Sequence, residues 1–243
     1  MRFKLIVEYD GTDYHGWQVQ PNGVTIQAVL EAAIQRMLGE SVRVAAAGRT
    51  DAGVHAAGQV VSFSPQRTVS PAVLLRGLNA LTPRDISITR AEIVDDDFDP
   101  RRAARSRLYV YRIWNAPWPS PFWRRYAWHV SRPLDCARMG AAAADLVGEH
   151  DFSAFRAAGC DAEHPLRRVL RSDCEQAGHV ITYTIEATAF LRHMVRNIVG
   201  TLVEVGAAQR PATDVARLLA GRNRALGGPT APAHGLCLMQ VNY

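Results

Sequence analysis

Apolar and polar positions in the first hundred residues alternate in ways that predict strands and helices in turn. Residues 2–9 place every second side chain, from Phe3 to Tyr9, on one apolar face, as in a half-buried strand. Thr25 can cap a helix over 26–38 whose apolar stripe ends at Gly39. The other predicted elements are strands at 42–46, 58–64 and 86–94 and a helix over 70–78 that Ser70 and Pro71 open. This order, β-α-β-β-α-β, is typical of the ferredoxin-like arrangement.

The second half of the chain broadly repeats this order. Its predicted elements are strands at 107–114, 126–130 and 236–241, a hairpin of 167–176 and 179–187 about Gly178, helices from Asp135 to near Val147, over 190–206 and over 213–220, and a loop at 221–235. The sequence therefore predicts an α+β fold, with two ferredoxin-like halves whose mainly antiparallel sheets flank a central cleft.

The boundary between the halves has its own signal. Residues 95–105 carry four aspartates and Pro100, followed by arginines, which indicates an exposed connection. We therefore expect an N-terminal α+β subdomain over 1–103 and a C-terminal α+β subdomain over 104–243.

The composition is that of a globular protein, with 48% hydrophobic and 21% charged residues among 243. No apolar run reaches about 18 residues, so the sequence predicts no transmembrane helix. Four widely spaced cysteines favour reduced thiols and a cytoplasmic protein. Cys160 and His164 have the spacing of half a metal site, but nothing in the sequence supplies the other half, so we predict no metal.

Charge adds more than composition does. Basic residues outnumber acidic ones by 28 to 23, and because Lys4 is the one lysine, the other 27 are arginines. They cluster at 101–112, 124–125 and 167–171, with aromatic residues nearby. Such clusters suit a phosphate backbone and stacked bases, although GC-rich codon usage also accounts for many arginines. The clusters at 101–107 and 167–171 are our candidates for contact with nucleic acid.

The segment from Ala47 to His55 is the most unusual in the chain. Small residues and two glycines surround Arg49, Thr50 and Asp51, so another backbone or a ligand can approach closely. Asp51 has two interpretations. It is either a buried nucleophile or base, or a turn aspartate that bonds its own backbone.

Residues 48–55, Gly-Arg-Thr-Asp-Ala-Gly-Val-His, resemble the signature of the TruA family of tRNA pseudouridine synthases. The resemblance continues in order along nearly the whole chain. The other matching segments are Tyr9-Asp10-Gly11-Thr12 with Gly16-Trp17-Gln18, Asp97-Phe98, Tyr109-Val110-Tyr111-Arg112, Asp151-Phe152-Ser153-Ala154-Phe155, and residues 194–200.

The resemblance implies a cytoplasmic homodimer that converts uridine to pseudouridine at positions 38, 39 and 40 of the tRNA anticodon stem-loop, with no cofactor. Asp51 matches the family's catalytic nucleophile. Tyr109 matches the tyrosine that packs on the target base, and Arg196 matches the arginine that pairs with the catalytic carboxylate. Arg49 matches an arginine implicated in flipping the base.

The chemistry suits these residue types. The reaction breaks the C1′–N1 bond and joins C1′ to C5 of the same base, so it needs no redox cofactor, ATP or metal. A carboxylate that attacks inside a pocket must stay ionised although burial raises its pKa, and a guanidinium counters that effect. A uridine stacked in a stem-loop must first leave the stack, and an aromatic platform stabilises the extruded base by ~1–3 kcal/mol.

Several alternatives stay open. Tyr111 is a second candidate for stacking, and Arg196 could instead contact phosphate. His55 and His193 could transfer protons, although structural hydrogen bonding or an RNA contact is favoured for both. Asp10 is expected in a structural turn, and Asn197 could help to position Arg196.

Three other functions would also use such a scaffold. They are a non-catalytic RNA-binding module, a pseudouridine synthase for another RNA or other tRNA positions, and an aspartate-nucleophile phosphohydrolase. The last would need a second carboxylate near Asp51 to hold a metal.

Overall fold

The computed structural model describes residues 1–160 and 162–243, and within them the chain forms five α-helices and ten strands. Most strand pairs are antiparallel, which confirms the predicted α+β class with mainly antiparallel sheet. Residue contacts divide the chain into two units. The first comprises Met1–Arg105 with Cys237–Tyr243, and the second comprises Ser106–Leu236.

The first unit follows the predicted order of elements. In chain order these are β1 (Arg2–Tyr9), α1 (Ile26–Leu38), β2 (Ala45–Ala46), β3 (His55–Phe63), α2 (Pro71–Leu81) and β4 (Ile86–Val94). Strand β1 pairs antiparallel with both β3 and β4, and β2 pairs antiparallel with β3. The strand that opens the chain is therefore internal to the sheet.

Local chemistry explains why the first two elements form where they were predicted. The alternate residues of β1 from Phe3 to Tyr9 are buried. The Thr25 side chain accepts a hydrogen bond from the N–H of Ala28, and Gly39 ends the helix in the left-handed region at φ 75°. A hydroxyl cap and a left-handed glycine satisfy backbone groups at opposite helix ends, so both boundaries of α1 are confirmed.

In the second unit, the described residues form eight further strands and α-helices. They are β5 (Ser106–Trp114), β6 (Trp128–His129), α3 (Cys136–Ala144), β7 (Gly148–Asp151), β8 (Leu166–Ala177), β9 (Val180–Ala187), α4 (Met194–Gly206) and α5 (Asp214–Gly221). Strand β9 lies between β5 and β8, and β7 pairs with the other edge of β8, all antiparallel. The short β6 pairs parallel with the end of β5.

The final strand, β10 (Leu236–Asn242), returns to the first unit and pairs parallel with β3 through Cys237 and Leu238. The sequence-based division assigned all residues from 104 onward to the C-terminal subdomain, whereas contacts group Cys237–Tyr243 with the first unit. The Tyr243 hydroxyl donates to the carbonyl of Pro100 at 2.9 Å, and its ring packs against Phe98 at 5.2 Å between centroids.

Several predicted boundaries were wrong for identifiable reasons. Strand β2 is confined to two residues rather than 42–46, because the Val44 N–H donates to the Glu31 carboxylate instead of to a strand. Helix α4 begins at Met194 rather than at 190, because His193 adopts a left-handed conformation at φ 60°. Strand β7 was not predicted, since Gly-Glu-His-Asp has no apolar alternation.

A close backbone contact holds the loop after α5 against α4. A Cβ at Gly200 would lie inside van der Waals contact of the Pro229 carbonyl oxygen. The Gly228 N–H donates to the Thr201 hydroxyl at 3.0 Å. The Thr230 hydroxyl donates to the Asn197 amide oxygen at 2.6 Å. Helix and loop therefore form one packed element.

We expect Gly200→Ala to lower the free energy of unfolding by about 2 kcal/mol or more, because the obstructing atom belongs to the backbone and cannot rotate away. Urea denaturation measures this. Gly221→Ala is the matched control, since a Cβ at that helical glycine meets no described heavy atom within 4 Å. It should change stability by less than about 1 kcal/mol, in the stabilising direction. Equal stability of the two variants would contradict this account of the contact.

Candidate active site

Asp51 lies in the loop between β2 and β3 of the first unit, at a half-buried position. Its backbone carbonyl accepts the N–H of Val54 at 3.1 Å, and Gly53 provides the positive φ of 77° that this turn needs. Arg49, two residues earlier, is exposed. The turn is thus closed by backbone atoms.

Two N-terminal segments that carry the resemblance, residues 9–12 and 16–18, pack directly on this loop. A Cβ at Gly16 would lie 2.7 Å from the Thr50 carbonyl oxygen, and Gly16 has φ 84°. A Cβ at Gly11 would overlap the Val54 carbonyl oxygen. Trp17, which follows Gly16, donates its backbone N–H to the Thr50 carbonyl at 3.0 Å. Both glycines are needed because backbone approaches backbone.

Buried side chains support the same loop from the sheet. The hydroxyl groups of Tyr9 and Thr50 are hydrogen-bonded at 2.8 Å, and the Gln59 amide donates to the Gly48 carbonyl at 2.9 Å. Burial raises the pKa of Tyr9 well above its usual value, although hydrogen bonds from Thr50 and Gln59 partly oppose this. The sequence did not predict a role for Gln59. Its signal was one amide among the small or apolar residues 56–63 of β3.

His55 and Asp10 have structural partners. His55 is buried, and its Nδ1 accepts the N–H of Gly11 at 3.0 Å and lies 3.2 Å from Asp10 Oδ1. Asp10 Oδ1 also accepts the N–H of Thr12 at 3.0 Å, which forms the expected turn before Gly11. These contacts favour the structural interpretation of both residues.

The two candidate tyrosines lie on β5 in the second unit. Tyr109 is 9% exposed and makes an edge-to-face contact with Phe190, with ring centroids 5.0 Å apart. Tyr111 is fully buried, and its hydroxyl donates to the Pro232 carbonyl at 2.8 Å. Burial raises the pKa of Tyr111 far above its usual value, with a small opposing effect from the charge of Arg196. Tyr111 is therefore a core residue and a weak candidate for stacking on a base.

Arg196 is half-buried in the first turn of α4. Its Nε donates to the Ala231 carbonyl at 2.8 Å, and its own carbonyl accepts the Ala231 N–H at 3.1 Å. Asn197 does not bond Arg196 through its side chain in any contact described. Its amide donates instead to the Phe155 carbonyl at 2.8 Å, and its oxygen accepts from Arg224 at 3.1 Å. It therefore anchors the loop that carries Ala231.

The predicted site residues thus fall into two pairs. Arg49 and Asp51 share a loop of the first unit, whereas Tyr109 and Arg196 belong to the second. Residues 1–160 and 162–243 contain no group of three or more histidine, cysteine or acidic side chains that could hold a metal ion. In the same residues, no helix combines the length and apolar character that crossing a membrane requires.

The arginine clusters differ in accessibility. Arg101 and Arg102 are exposed, and both backbone N–H groups bond the Asp99 carboxylate, whose pKa they lower. Arg107 is buried, and its guanidinium donates to the Thr188 carbonyl at 2.8 Å, so its prediction as a surface contact was wrong. In the 167–171 cluster, Arg171 is paired with Asp173 at 2.5 Å.

Residues 115–134, which link β5 to α3 and include β6, form a third basic segment. This segment has no acidic residue. Arg124 is exposed there, and three aromatic side chains are also exposed: Trp118 at 57%, Phe122 at 87% and Tyr126 at 41%. Exposed rings beside arginines are typical of surfaces that bind nucleic acid.

Comparison with known proteins gives a consistent result. The family model described as "tRNA pseudouridine synthase" matches residues 5–101 and 142–243. A tRNA pseudouridine synthase A of Myxococcus xanthus is 51% identical over 243 residues, covering 100% of this chain and 92% of the relative. One from Geotalea uraniireducens is 47% identical over 242 residues, covering 100% and 99%, and one from Moorella thermoacetica is 46% identical over 242 residues, covering 99% and 98%.

The matched residues include the loop of Asp51 and the helix of Arg196, and they define the chain as a pseudouridine synthase, an isomerase. Within that class it belongs to the TruA family of tRNA pseudouridine synthases.

Asp151 supports the second unit at the end of β7. Its Oδ1 accepts the Ser153 N–H at 2.9 Å, and its Oδ2 lies 3.3 Å from Arg222 Nε. Burial opposes ionisation, but the hydrogen bonds from Ser153 and the charge of Arg222 outweigh it and hold the pKa of Asp151 below its usual value. The turn so formed leads to Phe155, whose carbonyl binds Asn197.

We expect Asp151→Asn to lower the free energy of unfolding by about 1 kcal/mol near pH 7, because charge-assisted bonds are weakened. A lowered folded-state pKa stabilises the native state above the unfolded value near 4, and this contribution is lost as the pH falls through the folded-state pKa. Urea denaturation at neutral pH and below about pH 4 should show the difference from wild type shrinking in acid. A difference independent of pH would contradict the assignment.

Proposed function

We propose that this protein isomerises uridine to pseudouridine at positions 38, 39 and 40 of the tRNA anticodon stem-loop, with Asp51 as the catalytic nucleophile. The observation that carries the proposal is the loop Gly48–His55. It presents Asp51 from a turn whose flanking residues are held by buried hydrogen bonds. The family match, which spans this loop and α4, supports the same reaction.

The proposed reaction conserves atoms. The C1′–N1 bond breaks, the uracil turns, C1′ bonds to C5, and the proton leaves C5 while N1 gains one. Asp51 is proposed to attack or to stabilise the positive charge that forms when the glycosidic bond breaks. No electron pair leaves the substrate, so the proposed reaction involves no cofactor.

Three further residues have proposed roles. Tyr109 would pack on the extruded uracil, a contact that contributes ~1–3 kcal/mol for an aromatic platform. Arg196 would pair with the catalytic carboxylate and keep it ionised, a role supported by its fixed Nε bond to Ala231, which orients the guanidinium. Arg49 is exposed on the same loop as Asp51 and would help to extrude the base.

The remaining assignments follow from the same proposal. We propose a cytoplasmic homodimer that binds tRNA through its backbone, since an A-form stem presents phosphates and 2′-hydroxyls more readily than base edges. We also propose that both units are variants of the ferredoxin-like arrangement. The antiparallel pairing of β1 with β3 and β4 supports this for the first unit, and the order β5, α3, β8, β9, α4 supports it for the second.

Replacing Asp51 tests the central claim. Wild-type protein, incubated with EDTA and an unmodified tRNA that carries uridines at 38–40, should form pseudouridine at those positions. Asp51→Asn and Asp51→Ala should form none, because neither side chain supplies a nucleophilic carboxylate, while their affinity for the tRNA stays within about threefold. Base-resolution mapping of pseudouridine and a filter-binding assay measure the two quantities.

The outcomes separate the alternatives. Pseudouridine formation by the Asp51 variants would contradict the assignment of Asp51 as the nucleophile. If wild-type protein binds the tRNA but does not modify it, the protein is better explained as an RNA-binding module. Pseudouridine at other positions would show that positions 38–40 are not the target. Loss of activity in EDTA, restored by Mg²⁺, would contradict the cofactor-free mechanism.

A salt titration tests the arginines at 101 and 102. If both contact phosphates, Arg101→Ala with Arg102→Ala should weaken tRNA binding. It should also reduce the slope of log affinity against log salt by about 1.5, since each contact contributes roughly 0.7–0.9. Arg90→Ala is the control, because Arg90 is also exposed but lies 2.7 Å from Glu92, a closer pairing than the 3.9 Å between Arg102 Nε and Asp99. An unchanged slope in the double variant would reject the contact.

A further inference from the structure

Beneath the loop of Asp51 lies a small polar cluster in the core of the first unit. It consists of Tyr9, Thr50 and Gln59, which are 3%, 6% and 0% exposed. Tyr9 belongs to β1 and Gln59 to β3, and these strands are directly paired, with Val7 opposite Gln59 and Tyr9 opposite Ala56. Both side chains therefore project from the same pair of hydrogen-bonded strands.

The cluster reaches the loop at two points. The Tyr9 hydroxyl bonds the Thr50 hydroxyl at 2.8 Å, and the Gln59 amide donates to the Gly48 carbonyl at 2.9 Å. Gly48 and Thr50 flank Arg49, and Thr50 immediately precedes Asp51. The sheet thus holds the backbone at Gly48, before Arg49, and the side chain of Thr50, the residue before Asp51.

This arrangement is poorly explained by stability alone. A buried hydroxyl or amide costs free energy unless it is fully bonded, and apolar residues of similar shape often serve a core as well. Among the described residues, the Gln59 Oε1 is buried without a hydrogen-bond partner. A buried polar group that is only half satisfied calls for a reason other than packing.

We propose that Tyr9 and Gln59 are positioning residues that act through Thr50 and Gly48 to hold the Asp51 carboxylate in its reactive placement. The proposal rests on the proposed function, because it assumes that Asp51 is the nucleophile. Catalysis requires reacting groups to be held within a fraction of an ångström, and the supporting side chains supply that precision. Neither residue needs to touch the tRNA.

The chain offers a matched control for this idea. Tyr183 on β9 is a second buried tyrosine whose hydroxyl bonds another hydroxyl, that of Ser172, at 3.0 Å. Tyr9→Phe and Tyr183→Phe therefore make the same chemical change in the same kind of environment. Only the first is connected to the loop of Asp51.

The experiment measures the single-turnover rate constant of pseudouridine formation with saturating enzyme, the tRNA dissociation constant and the thermal midpoint. Tyr9→Phe, Thr50→Val and Gln59→Leu should each lower the rate constant by roughly tenfold, the effect of losing one supporting hydrogen bond, with the dissociation constant unchanged. Thr50→Ser keeps the hydroxyl and should retain most of the rate. Tyr183→Phe should lower the thermal midpoint about as much as Tyr9→Phe does, but its rate constant should equal that of the wild type.

The double variant Tyr9→Phe, Thr50→Val should be no slower than either single variant, because both remove the same bond. The positioning role alone is rejected if Asp51→Asn abolishes activity while Tyr9→Phe reacts at the wild-type rate, or if Tyr183→Phe is slowed equally. A wild-type protein that forms no pseudouridine would instead reject the proposed function, and the positioning role with it.

Discussion

The placement of Asp51 depends on two glycines that let the segment after β1 lie directly on its loop. Gly11 and Gly16 face the carbonyls of Val54 and Thr50 at distances that leave no room for a Cβ. Backbone packed on backbone has no rotamers through which it can adapt, so the loop cannot shift without moving the N-terminal segment as well. The backbone that carries Asp51 is therefore held by three parts of the chain: the turn after β1, the loop itself, and β3, which follows the loop directly.

A comparable arrangement holds Arg196 in the second unit. Its Nε is bonded to the Ala231 carbonyl, and the loop that carries Ala231 is fixed to α4 through Gly200 and the side-chain amide of Asn197. An arginine side chain has many rotamers, and holding its guanidinium against one carbonyl removes most of that freedom before a substrate binds. In both units, then, neighbours that need not react hold a charged residue in place, through the loop backbone at Asp51 and through the side chain at Arg196.

Much of this fold could be predicted from local signals, whereas the supporting contacts could not. The ends of α1 follow from Thr25 and Gly39 within a few residues of the helix, and the buried face of β1 follows from alternation. The predicted start of α4 at residue 190 was wrong, because the left-handed conformation of His193 is set by its surroundings rather than by its residue type. Gln59 was missed because its bond to Gly48 joins residues eleven apart through the sheet, and no sequence period reports that pairing.

The arginines show why charge counted along the chain is a poor guide to a binding surface. Arg107 is buried against a carbonyl and Arg171 is paired with Asp173, so the net charge of +5 does not locate the positive potential. Exposed arginines occur along much of the chain, and they include the pair Arg101 and Arg102 and Arg124 in the acid-free segment 115–134, which also has exposed rings. Exposed arginines attract phosphate and exposed aromatic rings stack on any base, so such residues contribute affinity without selecting a particular nucleotide. An enzyme proposed to act on three neighbouring uridines needs that property, because recognition of base edges would tie it to a single register.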